Sequence, residues 1–200
     1  MGDAGHYFDP EPGVSSQERE VRLDLPDRSL RLTTDRGVFS GDRVDPGTKY
    51  LLLEAPAPPA AGTFVDLGCG YGPIACTLAA RSPEASVWAV DVNRRAVELC
   101  ARNARALGLE NLRAVEPEGV PDDLVVDLLW SNPPIRVGKQ ALHDLLTTWL
   151  ARLAPTGRAI LVVQKHLGAD SLQRWLTASG WPTERLGSRT GYRLLEVHPS

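Results

Sequence analysis

Two short stretches carry residue types whose spacing could do chemistry. The first is Asp66-Leu67-Gly68-Cys69-Gly70-Tyr71-Gly72-Pro73, which follows the apolar pair Phe64-Val65. An apolar run that ends in an acid, a turn with alternating glycines and a proline reads as strand, tight loop and helix start. Glycine lacks the Cβ that would keep a ligand off the backbone. Three such glycines after an acid point to a nucleotide-like ligand, although an ordinary strand-to-helix turn would also use them. A dinucleotide fingerprint needs its third glycine at position 73, and that residue is Pro73. A phosphate-cradling loop needs a lysine that is absent here. An acid two residues before Gly68 suits a ligand with a cationic or amino end.

The second stretch is Ser131-Asn132-Pro133-Pro134-Ile135-Arg136. Two prolines fix φ at about −65° and remove two donors, leaving carbonyls that only accept. Asn132 adds a side-chain carbonyl. Acceptors aimed at one point suit an exocyclic amino group. They hold its N–H bonds and turn its lone pair towards a methyl donor. A plain proline turn at a strand end is the bland alternative. Asp91 stands one strand-helix unit after the glycine loop, where a carboxylate can accept both ribose hydroxyls. A helix-capping acid would look the same. Glu116, or Glu118 two residues on, is placed to meet an adenine amino group.

The elements that must position these residues follow from periodicity. Strands are expected at 63–67, 86–90, 112–115, 124–130 and 159–163. Helices are expected at 73–80, from an Asn93 cap to Leu107, at 139–153 and at 169–179. A closing antiparallel pair falls at 181–186 and 192–197, around a loop of residues 187–191. Before this core, Val21, Leu23 and Leu25 alternate, residues 26–28 turn, and Leu30 and Leu32 return. That is a β-hairpin, followed by an extended piece at 37–40. A buried helix is expected at 45–53, then a proline-rich spacer at 54–62. The whole is an α/β chain with a mostly parallel seven-stranded sheet, a reversed last strand and an N-terminal hairpin. In such a sheet the ligand sits at the C-terminal strand ends.

Composition narrows the class. The chain has 200 residues, a net charge of −3, 42% hydrophobic and 24% charged residues. This is the profile of one globular domain spanning 1–200. Within it we expect a flexible tail at 1–17, a hairpin and lid at 18–53 and a ligand-binding core at 63–200. A slightly acidic chain must bind nucleic acid through a local patch. The arginines Arg19, Arg22, Arg28, Arg31, Arg36 and Arg43 are the candidate. The aromatic cluster His6-Tyr7-Phe8 is costly to leave in water and is expected to dock. Cys69, Cys76 and Cys100 have no metal spacing and no even pairing. No apolar run is long enough for a membrane or a leader, so a cytoplasmic protein is expected.

The glycine loop resembles motif I of class I methyltransferases that bind S-adenosylmethionine. The whole set resembles the methyltransferase small domain family. That set comprises residues 35–40 (Asp-Arg-Gly-Val-Phe-Ser), the Asp-x-Gly-Thr turn at 45–48, the loop at 66–72, residues 91–96 (Asp-Val-Asn-Arg-Arg-Ala) and residues 132–136. The likeness runs from the aromatic cluster to residues 191–193. It is nearest to the single-domain form of the RsmC-like ribosomal RNA guanine-N2 methyltransferases. The resemblance implies a Rossmann-like class I methyltransferase fold and an S-adenosylmethionine-dependent enzyme that methylates guanine N2 of small-subunit ribosomal RNA. It implies that Asp66, Gly68, Gly70, Gly72, Asp91 and Glu116 hold the cofactor, with Asn132, and Thr48 at its methionine end. It implies that Asn132, Pro133, Pro134 and Ile135 present the amine. Phe39, Arg136, Lys139 and Lys165 are the substrate-binding candidates, and the partner is ribosomal RNA or the small ribosomal subunit, with no membrane and no metal. The resemblance to amino-methylating class I enzymes implies an aromatic residue, where this chain has Ile135, in those that methylate adenine or a glutamine amide. Methylation of those acceptors, a non-catalytic cofactor- or RNA-binding module and a dehydrogenase are the competing readings. The oligomeric state is left open.

Overall fold

The computed structural model describes residues 15–40 and 43–199. The aromatic cluster at 6–8 lies outside them. Two strands, β1 (Arg19–Leu25) and β2 (Arg28–Thr34), pair antiparallel through a two-residue connection, Pro26-Asp27. Their alternation buries Val21, Leu23, Leu25, Leu30 and Leu32 on one face, as the period of two dictates. Helix α1 (Pro46–Glu54) follows.

The core then alternates β3 (Ala61–Leu67), α2 (Pro73–Arg81), β4 (Glu84–Val90), α3 (Arg94–Ala106) and β5 (Leu112–Val115). It continues with β6 (Val126–Ser131), α4 (Lys139–Leu150), β7 (Leu153–Gln164), α5 (Ala169–Ala178), β8 (Thr183–Arg189) and β9 (Tyr192–Val197). The sheet order is β5-β4-β3-β6-β7-β9-β8, and β9 alone runs against its neighbours. This is the class I methyltransferase arrangement expected from the sequence. Strand residues alternate between two apolar layers. Phe64, Val87, Leu128 and Trp130 pack under α1, α2, α3 and the hairpin, whereas Val65, Val90, Leu129 and Leu161 pack under α4 and α5.

Four local expectations are corrected. Residues 37–40 form turns and not an extended piece, with Gly37 and Ser40 at positive φ. Helix α4 stops at Leu150, and Leu153 opens β7 as a buried residue paired with Val126. The apolar spacing of Leu153 fits helix and strand alike. Leu124 and Val125 precede β6, and Val125 is exposed. Gly187 lies inside β8, beside a register shift, so the connection to β9 is only Thr190-Gly191. The β5–β6 connection holds a 3-10 turn (Pro117–Gly119).

Two side chains lock the hairpin onto the core. Buried Asn103 on α3 accepts from Thr33 N and donates to Thr33 O and Tyr71 O, each at 2.8 Å. It acts as a missing strand partner for β2. Arg81 at the end of α2 grips both carboxylate oxygens of Asp27 and the Leu52 carbonyl. Among the described residues no helix is long and apolar enough to cross a membrane.

Candidate functional site

Strand β3 has β4 on one side and β6 on the other, so chain connections depart in opposite directions there. A crevice opens at such a point, above the C-terminal strand ends. Three loops meet at it. The glycine loop leaves β3, Asp91 leaves β4, and the Asn132 turn leaves β6. The cleft is lined by Gly68, Cys69, Gly70, Tyr71, Pro73 and Ile74 from the glycine loop and α2. Asn132, Asp45 and Thr48 line the far wall, and Phe39 with Ser40 forms a rim.

The loop is held from below. Gly68 N and Cys69 N both donate to Val90 O, at 2.8 and 3.0 Å. Gly70 N donates to Asp91 Oδ2 at 2.8 Å. Gly68 and Gly70 have φ of +76° and +55°, and a Cβ on either would meet nothing closer than 3.9 Å. The space beside Gly68 is the cleft itself, with Pro134 Cδ 4.0 Å away. Gly72 turns its Cβ side to α3. Its Cβ would lie 2.6 Å from Cys100 Sγ on α3, so its lack of a side chain serves helix packing. Ser131 Oγ donates to Leu67 O at 2.6 Å, tying the end of β6 to the root of the loop.

Asp66 sits beneath the loop and is fully buried. Its Oδ2 accepts from Ala75 N in the first turn of α2 at 2.9 Å, and its Oδ1 has no partner among the described residues. Burial raises its pKa, the Ala75 N–H lowers it, and the Asp91 carboxylate raises it again, to about 8. Asp91 is partly exposed. Its two oxygens accept from Gly70 N and Asn93 N, and its carboxylate takes a further backbone hydrogen bond from Val92. Burial raises its pKa too, against those backbone donors. Cys69, Cys76 and Cys100 are buried free thiols. A hydrogen bond with Cys100 lowers the Cys69 pKa, but burial and nearby acids push it up to about 12. These sulfurs are packing residues.

The Asn132 side chain crosses the cleft wall. Its Nδ2 donates to Asp45 Oδ2 at 2.9 Å and to Thr48 Oγ1 at 3.1 Å. Its Oδ1 therefore points away from both. The following turn is tighter than two free proline carbonyls. Ile135 N donates to Pro133 O at 2.8 Å around Pro134, whose φ and ψ are −74° and 75°. That is an inverse γ-turn. Val137 N donates to Pro134 O at 3.2 Å. Each proline carbonyl keeps one lone pair. Ile135 packs against the α4 layer and presents no flat face.

The structure thus gathers Phe39, Thr48, Gly68, Gly70 and Asn132 around one cleft, with Asp91 beside it and Asp66 below. Glu116 and Glu118 are exposed at the end of β5, with no bond into the cleft. Lys139 opens α4 and Lys165 follows β7, both exposed. Arg136 is placed by its backbone just after Ile135. Arg22 and Arg28 pair with Asp24 and Asp27, so they are poor phosphate ligands. Asp45 was missed by sequence reasoning, although an acid before Pro46-Gly47-Thr48 is a helix N-cap signal.

The description "Methyltransferase small domain" belongs to the family model that matches residues 29–196. The chain is 34% identical over 169 residues to the YbxB protein of Bacillus subtilis, covering 83% of this chain and 84% of that one. It is 33% identical over 175 residues to ribosomal RNA small subunit methyltransferase C of Hahella chejuensis. That match covers 83% of this chain and 48% of the relative, so the chain spans about half its length. The T. thermophilus 16S rRNA N2 G1207 methyltransferase, solved with AdoMet and guanosine, superposes at a TM-score of 0.79. Identity there is 24%, over 94% of this chain and 52% of that one, and the likeness is one of fold.

Proposed function

We propose that this chain, which belongs to the methyltransferase small domain family, methylates an exocyclic amine of ribosomal RNA with S-adenosylmethionine. Guanine N2 of the small-subunit RNA is the acceptor we favour. The observation that carries the reading is the 4.0 Å approach of the Asn132 turn to the side of Gly68 that a Cβ would fill. A methyl donor on the glycine loop and an amine on the turn would then be neighbours.

The residues present fit the cofactor. Asp66 Oδ1 and Tyr71 Oη are buried beside the loop without a partner, which a bound polar ligand would remedy. Asp91 offers its remaining acceptor capacity to a ribose hydroxyl, and Gly68 and Gly70 leave the backbone bare. Glu116 is our candidate for the adenine end and Thr48 for the methionine end. When bound, the cofactor supplies a sulfonium methyl, an electrophile that needs no metal. The side chains then act by positioning. Asn132 Oδ1 and Pro133 O accept the two amine N–H bonds and turn the nitrogen lone pair towards the methyl. The sulfonium would give up its methyl to the nitrogen so presented, and the amine proton would pass to solvent. Ile135 offers no ring for stacking, which favours guanine N2 over acceptors clamped by an aromatic. Phe39, at the rim of the cleft, and Arg136, Lys139 and Lys165 are our candidates for the RNA.

The test is tritium transfer from labelled cofactor to ribosomal RNA of a strain lacking this gene, with mapping of the base. Label at guanine N2 of small-subunit RNA is expected. Asn132→Ala should slow transfer by about 10²–10³-fold, the scale for losing one preorganised hydrogen bond, with transfer falling further than cofactor affinity. Turnover near wild type in that variant, or label at adenine, would refute the reading.

A further inference from the structure

We infer that Asp45 is the positioning residue of the amine site, acting through Asn132 without touching the acceptor; the inference rests on the methyl-transfer reading above. An asparagine amide can sit in two flips that occupy the same space. Only one serves this chemistry. With Oδ1 towards the cleft, Asn132 accepts an amine N–H. With Nδ2 towards the cleft, two donors would face each other.

The neighbours of Asn132 differ in their power to choose. Thr48 Oγ1, at 3.1 Å, can donate or accept and tolerates either flip. The carboxylate of Asp45 only accepts, and at 2.9 Å it demands the NH2 group. The charge also shortens and strengthens the bond. Asp45 therefore sets the direction in which Asn132 presents its carbonyl.

Asp45 is itself fixed. It caps α1, and the same Oδ2 accepts from Thr48 N at 3.0 Å. A Cβ on Gly47 would lie 2.9 Å from this oxygen and 2.5 Å from Tyr192 Cε1 on β9. Gly47 is thus required for the carboxylate and the Tyr192 ring to close on the cap. The cap of α1 thus sets the acceptor in the turn after β6, across 87 residues of chain.

The test is a reversal of the pair. Asp45→Asn keeps size, but the cap and the Asn132 bond share one oxygen, so its amide can donate to a flipped Asn132 only by giving up the cap to Thr48 N. Its kcat should fall roughly 10–100-fold, the scale for an outer residue that orients a ligand, with cofactor affinity falling less than kcat. Asn132→Asp sets two carboxylates face to face and should fall further. The double variant Asp45→Asn/Asn132→Asp restores one donor and one acceptor-only partner, so it should recover activity above both single variants. A double variant no better than the product of the single losses would overturn the proposal. A second readout needs no substrate. In ¹⁵N NMR of the ligand-free wild type, the Asn132 side-chain amide should exchange slowly and lose that protection in Asp45→Asn. Exchange at the rate of a free amide would overturn the clamp. Failure of the wild type to label RNA would instead refute the proposed function and leave the exchange result standing.

Discussion

Asp66→Asn isolates the most unusual electrostatic feature of the site. Asp66 is fully buried, faces no cation and has the Asp91 carboxylate nearby. Burial, opposed by the Ala75 N–H and reinforced by Asp91, pushes its pKa up to about 8. In the unfolded chain an aspartate titrates near about 3.9. Between these values the native state binds more protons than the unfolded state. Stability therefore falls as pH rises through that window, by about 1.4 kcal/mol per pH unit. From about pH 5.5 to 7.5 the loss from Asp66 alone is about 2–3 kcal/mol. Asparagine mimics the neutral acid, since its Oδ1 can still accept from Ala75 N, and it carries no such slope. Asp91, also raised, is present in both proteins and cancels. Urea unfolding followed by the fluorescence of the five tryptophans gives both stabilities at each pH. The variant should gain on the wild type by about 2–3 kcal/mol across that interval. A difference that stays flat from pH 5 to 9 would show Asp66 ionised throughout and refute the reasoning.

The glycines should separate by role. Gly72→Ala meets both a φ of +95° and Cys100 Sγ at 2.6 Å, and should cost about 3 kcal/mol in urea unfolding. Cys100→Ala should recover the steric part, and an unimpaired Gly72→Ala would sink the packing assignment. Gly70→Ala, with φ +55° and open space, should cost only about 1 kcal/mol. Asp91→Ala should weaken S-adenosylmethionine binding by about 1–3 kcal/mol in calorimetry, and unchanged affinity would remove Asp91 from the cofactor site.

The alternation of strands and helices was legible because each element buries one face at a fixed period. Asn93 and Gly108 marked the ends of α3 through capping chemistry alone. Boundaries failed where a residue suits two elements. Leu153 continues the helical spacing of Leu146 and Leu150, yet pairs with Val126 across the sheet. Gly187 looked like a turn residue, but Tyr50 Oη lies 2.6 Å from where its Cβ would be. The glycine loop was legible as a unit, while the different duty of Gly72 depended on Cys100 from another helix. Asp45 escaped for the same reason. Its cap was local, but its bond to Asn132 joins residues far apart in sequence.

The Asn103 amide has a thermodynamic consequence. One side chain satisfies both backbone groups of Thr33 on the hairpin and the carbonyl of Tyr71 in the glycine loop. Opening the hairpin strips that amide of two partners, and the loop loses the brace that holds Tyr71. The two-stranded sheet and the loop therefore belong to one cooperative opening unit, although they share no ladder. By linkage, any ligand that tightens the loop must also suppress fraying of the hairpin, and by the same free energy.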